Sequence, residues 1–121
     1  MSQPTATTSA RIFIEDASLP WQDLGGGLRR KVMAWDERLM LVKVAFEQGA
    51  VGALHHHPHT QVTHIESGAF EVEVSGELRV LRGGDAFYIP PGAVHGVRCL
   101  EAGVLVDVFS PLREDFLPVG A

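Results

Sequence analysis

His55-His56-His57-Pro58-His59-Thr60-Gln61 is the stretch on which the fold turns. Four of the six histidines of the chain lie in it. On an extended strand, side chains two apart point to one face, so His55 and His57 stand together and His56 faces away. Two imidazoles side by side are a ready chelate for a borderline divalent metal. A run of histidines is also compatible with a polar patch on a solvated loop. This run is central in the chain and framed by strands, which favours the chelate.

Working outward, period-two alternation dominates. Upstream, Gly25-Gly26-Gly27 turns the chain into a strand over 28–35. Residues 39–46 alternate, with Val42, Val44 and Phe46 opposite Leu41, Lys43 and Ala45. Downstream, Phe70, Val72 and Val74 oppose Glu71 and Glu73, and Ser75-Gly76 makes a hairpin turn into 77–81. Gly83-Gly84-Asp85 is another turn, and the short strand 86–89 stops at Pro90-Pro91-Gly92. Two further strands are expected over 94–99 and 104–109, with Pro111 ending the second and one helical turn over 112–117. Thirteen Gly and seven Pro scattered through 121 residues suit short strands and tight turns, and 45% hydrophobic residues supply a core. Short antiparallel strands this numerous must close or double up to protect their edges. The expected fold is all-β: one small jelly-roll β-barrel domain over 11–121, behind a flexible tail over 1–10.

The net charge of −5 offers no basic footprint for nucleic acid, although local Arg and Lys can still bind a small anion. Cys99 is the single cysteine, which rules out an intramolecular disulfide and suits a reducing compartment. No apolar run approaches the ~20 residues of a membrane helix, and residues 1–10 lack the apolar segment of a signal peptide. A soluble cytoplasmic protein is expected.

Two spaced patterns frame the histidines. The first is Gly49, five residues, His55, one, His57, three, Gln61, six, Gly68; the second is Gly84, five, Pro90, one, Gly92, two, His95. Together, with fifteen residues between them, they resemble the two motifs of the cupin family. The resemblance implies one divalent transition metal ion (Ni, Zn, Fe, Mn or Co) on His55, His57, His95 and Gln61. Cupins usually carry Glu where this chain has Gln61. A Gln oxygen brings no negative charge, so the metal would be the stronger Lewis acid, suited to an oxyanion more than to oxygen chemistry. The family's final Asn is replaced by Cys99, which parity places with His95 and Val97; it reads as a small buried filler. His64 has the wrong parity for the lumen, and His59 follows Pro58 in a turn, so peripheral roles are expected for both.

Asp107 interrupts the apolar strand Val104-Leu105-Val106-Asp107-Val108-Phe109. A carboxylate in an apolar setting finds a partner or shifts its pKa. It is either a structural ion pair with Arg98 or Arg113, or a general acid/base beside the metal; the residues alone leave both open.

A longer set of matches narrows the resemblance. It runs through Trp21-Gln22-Asp23-Leu24-Gly25, Arg30-Lys31-Val32, Phe46-Glu47 and Gly49-Ala50-Val51-Gly52. It continues through the histidine stretch, His95-Gly96, Cys99-Leu100-Glu101 and Arg113-Glu114-Asp115-Phe116-Leu117. The chain is similar to the KdgF-type proteins of pectin and alginate breakdown, whose implied activity is metal-dependent, non-redox ring opening of Δ4,5-unsaturated monouronates to linear keto-uronates. The resemblance puts the metal on His55, His57, Gln61 and His95, and the acid, aromatic and arginine of the site on Asp107, Phe109 and Arg113. It implies a small anionic sugar as substrate and a homodimer as the assembly. The rivals are a non-haem metal dioxygenase, which would consume oxygen, and a non-catalytic sugar-binding cupin.

Overall fold

The computed structural model of the protein describes residues 8, 9 and 11–118. A 3-10 turn (Asp16–Ser18) precedes β1 (Gln22–Gly25), β2 (Leu28–Trp35), β3 (Met40–Phe46) and β4 (Val51–His55). Then come β5 (Thr60–Val74), β6 (Glu77–Arg82), β7 (Ala86–Ile89), β8 (His95–Ser110) and a second 3-10 turn (Glu114–Phe116). Two long strands organise the rest. β5 and β8 pair antiparallel from Thr60↔Ser110 to Val74↔His95. The first half of β5 and the second half of β8 join β3, β2 and β1 on one side and β7 on the other. Their other halves join β4 and β6. Both long strands therefore pass from one sheet to the other, which gives a cupin-type jelly roll. Phe46, Ile65, Phe70, Val72, Cys99 and Leu105 pack between the sheets. Met40, Val42 and Phe109 form a second cluster against Leu112, Phe116 and Leu117 of the C-terminal turn.

The passage between sheets needs glycine at two places. Gly68 has φ 88°, and a Cβ there would lie 2.6 Å from the Glu101 carbonyl oxygen. A Cβ on Gly103 would collide with the Ser67 carbonyl group, and the β5–β8 register shifts on either side of Ser67. Both contacts are with backbone, which cannot swing aside. Gly103→Ala is therefore expected to cost about 1–3 kcal/mol, the usual penalty of overpacking, and to lower the melting temperature by roughly 5–15 °C. A thermal melt that matches wild type would show that the two strands can separate here at no cost.

The strands expected over 94–99 and 104–109 are one continuous strand, β8. Glu101-Ala102-Gly103 looks like a break because these residues are poor strand formers; pairing with β5 overrides that weak preference. β1 and the first half of β5 also extend beyond the sequence expectation. Of the flexible tail expected over 1–10, Thr8 bridges Asp36, and the Ser9 amide donates to the Trp35 carbonyl at 2.9 Å. Residues 1–7 and 10 lie outside the described residues. The helical turn expected within 112–117 is present as the 3-10 turn Glu114–Phe116. Among the described residues no helix is long and apolar enough to cross a membrane.

Candidate metal centre and active site

β4 ends on His55 and β8 begins on His95, and the two residues face each other in the antiparallel register. Pro90-Pro91-Gly92 makes this possible: it ends β7 and turns the chain, with the Gly92 amide donating to the His57 carbonyl at 2.8 Å. The ring centroids of His95 lie 4.3 Å from His55 and 4.8 Å from His57. The Nδ1–H of His55 donates to Ala53 O at 2.8 Å, and that of His95 to Ala93 O at 2.9 Å. Each bond fixes the ring and leaves Nε2 as the free lone pair. His95 Nε2 and His57 Nδ1 are buried without a hydrogen-bond partner. Burial pushes His95 down to about 4 and, ahead of the Arg113 charge, holds His57 below its ordinary value. The rings of His57 and His95 are thus neutral near pH 7, and one ligand atom from each of the three histidines lies inside a 4.8 Å cluster. Three converging ring nitrogens, those of His57 and His95 buried without a partner, are what a divalent metal requires, so these residues fit the ion that the cupin resemblance implies.

A chain of side-chain bonds leads away from the histidines. The His57 Nε2–H donates to Gln61 Oε1 at 2.9 Å, and Gln61 Nε2 donates to Thr63 Oγ1 at 2.9 Å. The Thr63 hydroxyl donates to Asp107 Oδ1 at 2.7 Å. The network sets the amide so that its oxygen faces the histidines. All four residues are buried. Burial pushes the Asp107 carboxyl up to about 6, against the Thr63 bond and the Arg113 charge, which favour the anion.

The ion pairs considered for Asp107 do not form. Arg98 is paired with Glu71 at 3.6 Å. Arg113 is taken up by Asp115, with Nε donating at 3.0 Å and Nη2 at 2.8 Å. Its guanidinium also lies over the rings of Phe109 and Phe116, at 5.3 and 4.4 Å. One cavity of about 140 Å³ nevertheless brings His55, Gln61, His95, Asp107, Phe109 and Arg113 onto a single surface, with Phe116 in its wall. His64 and His56 are exposed. His59 sits closer than its turn position implied, edge-on to His57 at 5.3 Å with its Nδ1 buried. Cys99 is 1% exposed, and burial raises its thiol pKa, as a filler requires.

Sequence reasoning missed Thr63, although it shares parity with Gln61 on β5, because a threonine in a strand carries no chemical signal of its own. It also gave no role to Phe116, whose place in the cavity depends on how the C-terminal turn folds back.

A two-sheet jelly roll with histidines converging from β4, the β4–β5 connection and β8 defines a small single-domain cupin. The cupin domain family matches residues 42–109. The pectin degradation protein KdgF of Dickeya dadantii (strain 3937) is 47% identical over 109 residues, covering 88% of this chain and 98% of that protein. A solved RmlC-like cupin from Shewanella frigidimarina NCIMB 400 superposes with a TM-score of 0.89 at 41% identity, covering 92% of this chain and 99% of that one. KdgF from Halomonas sp. superposes with a TM-score of 0.84 at 44% identity, covering 87% and 97%. The chain belongs to the cupin family and, within it, to the KdgF proteins.

Proposed function

We propose that the protein opens the ring of Δ4,5-unsaturated monouronates to linear keto-uronates, as a metal-dependent, non-redox enzyme of pectin or alginate catabolism. One observation carries the reading beyond the KdgF relationship: a single cavity joins the histidine cluster to a buried acid and an arginine. His55, His57 and His95 would hold the metal, and the oxygen of Gln61, which accepts from His57 Nε2–H, would join them as fourth ligand on giving up that bond. The ion, when bound, supplies a Lewis acid that stabilises negative charge developing on oxygen.

The reaction moves one proton and breaks one bond. The anomeric hydroxyl gives up its proton, C1 becomes an aldehyde, and the C1–ring-oxygen bond breaks. The ring oxygen leaves as an enolate on C5. Protonation at C4 then gives the ketone, with no net change in atoms or electrons. Asp107 is the acid/base: a carboxyl that titrates near 6 is able both to take and to return a proton at neutral pH. The Thr63 hydroxyl holds its Oδ1 in place. Phe109 walls the cavity, and the part of the Arg113 guanidinium not engaged by Asp115 draws the substrate carboxylate.

The enol-ether C=C absorbs in the ultraviolet and is lost on ring opening. The protein is expected to speed that loss above the spontaneous rate with a pectin- or alginate-derived unsaturated monouronate. No acceleration with either substrate would refute the reading, and oxygen uptake would replace it with oxygenase chemistry.

A further inference from the structure

Arg30 lies on the inner face of the barrel. The register runs Arg30↔Val44 and Val44↔Leu105, then Leu105↔Ile65, beside the row Val32, Val42, Asp107 and Thr63. Leu105, Ile65, Val42 and Thr63 are all buried core positions, so Arg30 shares their face. Its neighbours in sequence point the other way: Arg29 and Lys31 both stack on Trp21 outside the sheet, at 5.1 and 4.5 Å. The guanidinium of Arg30 lies 4.0 Å over the Phe116 ring, the same ring that Arg113 meets at 4.4 Å. Phe116 lines the metal-centre cavity, so Arg30 stands directly behind its wall.

The donors around this ring outnumber the acceptors. Arg113 has a full carboxylate partner in Asp115. Arg30 has only a neutral one, Gln22 Oε1, at 3.2 Å from Nη2, and its Nε is buried with no acceptor. Two guanidiniums thus share one carboxylate at the edge of a cavity that holds a histidine cluster and an acid. A charged donor left unsatisfied is costly, and an anion arriving along the Phe116 ring would answer it.

We propose that Arg30 is a substrate-binding residue, forming with Arg113 a two-guanidinium subsite around Phe116 that receives the carboxylate of the uronate. The proposal rests on the uronate reading above and assigns the selectivity for acid over neutral sugar to Arg30. The carboxylate enters along the edge of the Phe116 ring, while Asp115 stays on Arg113 and holds the turn in place.

The test uses the full, metal-loaded chain and two probes, galacturonate and its neutral counterpart galactose, titrated calorimetrically into wild type, Arg30→Gln and Arg30→Lys. Wild type is expected to prefer the acid. Arg30→Gln should weaken galacturonate binding on the order of 10–100-fold, the worth of a charge-assisted hydrogen bond, and leave galactose unchanged. In turnover of the unsaturated uronate the same variant should raise KM by a similar factor and hold kcat within about 3-fold. Arg30→Lys keeps the charge but lacks the planar fork, so it should recover part of the preference. If Arg30→Gln does not fold, Arg30→Lys decides alone: a loss confined to the acid supports the subsite, and an equal loss for both sugars overturns it. A wild-type protein without preference for the acid, or an Arg30→Gln variant that keeps that preference, also overturns it. Because binding is read without turnover, absence of ring opening would refute the proposed reaction and leave this comparison standing.

Discussion

Replacing His55 and His57 together by alanine is expected to take the metal content from about one ion per chain to near zero. Turnover should fall by at least the ~10²–10³-fold that losing one oxyanion-stabilising group costs. His55 is exposed and bonded only to Ala53 O, whereas His57 is buried, edge-on to Phe109 at 5.9 Å and the donor to Gln61 Oε1. The metal-free double variant should therefore fold but melt below metal-free wild type, by about the 1–3 kcal/mol that leaving the buried Gln61 oxygen without its donor costs. Metal analysis of protein purified without a tag, alongside the ultraviolet assay, reads both effects. Loss of two of three ring nitrogens leaves His95 and the uncharged Gln61, too few donors for a stable four-coordinate site. A native, metal-free protein with full activity would remove the ion from the mechanism altogether.

How much of this centre could be read in advance depends on what kind of information each residue carries. The pairing of His55 with His57 follows from strand periodicity alone. His95 is far along the chain, and only the Pro90-Pro91-Gly92 turn and the pairing of β4 with β8 bring it opposite His55. The family spacing anticipates that meeting, because the spacing records the geometry. Arg30 is different. β2 carries cations on both faces, Arg30 inside and Lys31 outside, so alternation does not say which one faces the lumen. Lys31 is in fact the more buried, tied down by Asp16 at 3.2 Å on the outer surface. The partner of Asp107 was equally hidden. Charge suggested Arg98 or Arg113, but Arg113 follows Pro111 into a turn where Asp115, two residues on, is within reach of both its donors. Local geometry satisfied the arginine first, and a neutral hydroxyl was left for the aspartate.

Asp107→Asn is expected to leave fold and metal intact and to lower kcat by about 10²–10⁴-fold, the usual contribution of a general acid/base. The amide is nearly isosteric with the carboxylate and cannot carry a proton between oxygen and C4. The surroundings of Asp107 make the stability expectation definite. Removing one member of a buried ion pair leaves a charge uncompensated and costs about 3–5 kcal/mol. Asp107 has no such partner to abandon, since its bond comes from the neutral Thr63 hydroxyl while Arg98 and Arg113 are engaged by Glu71 and Asp115. The asparagine oxygen accepts the same Thr63 hydrogen bond. Burial already disfavours the ionised carboxylate, so a neutral amide in its place should hold the melting temperature at or slightly above that of wild type near pH 7. Three measurements on one variant separate chemistry from structure: melting temperature, metal content and turnover per folded molecule. An unchanged melt and full metal with lost turnover assign Asp107 to proton transfer. A sharp fall in melting temperature with near-wild-type activity in the folded fraction would instead make it a structural acid, and the proton would have to be carried by another group on the cavity wall.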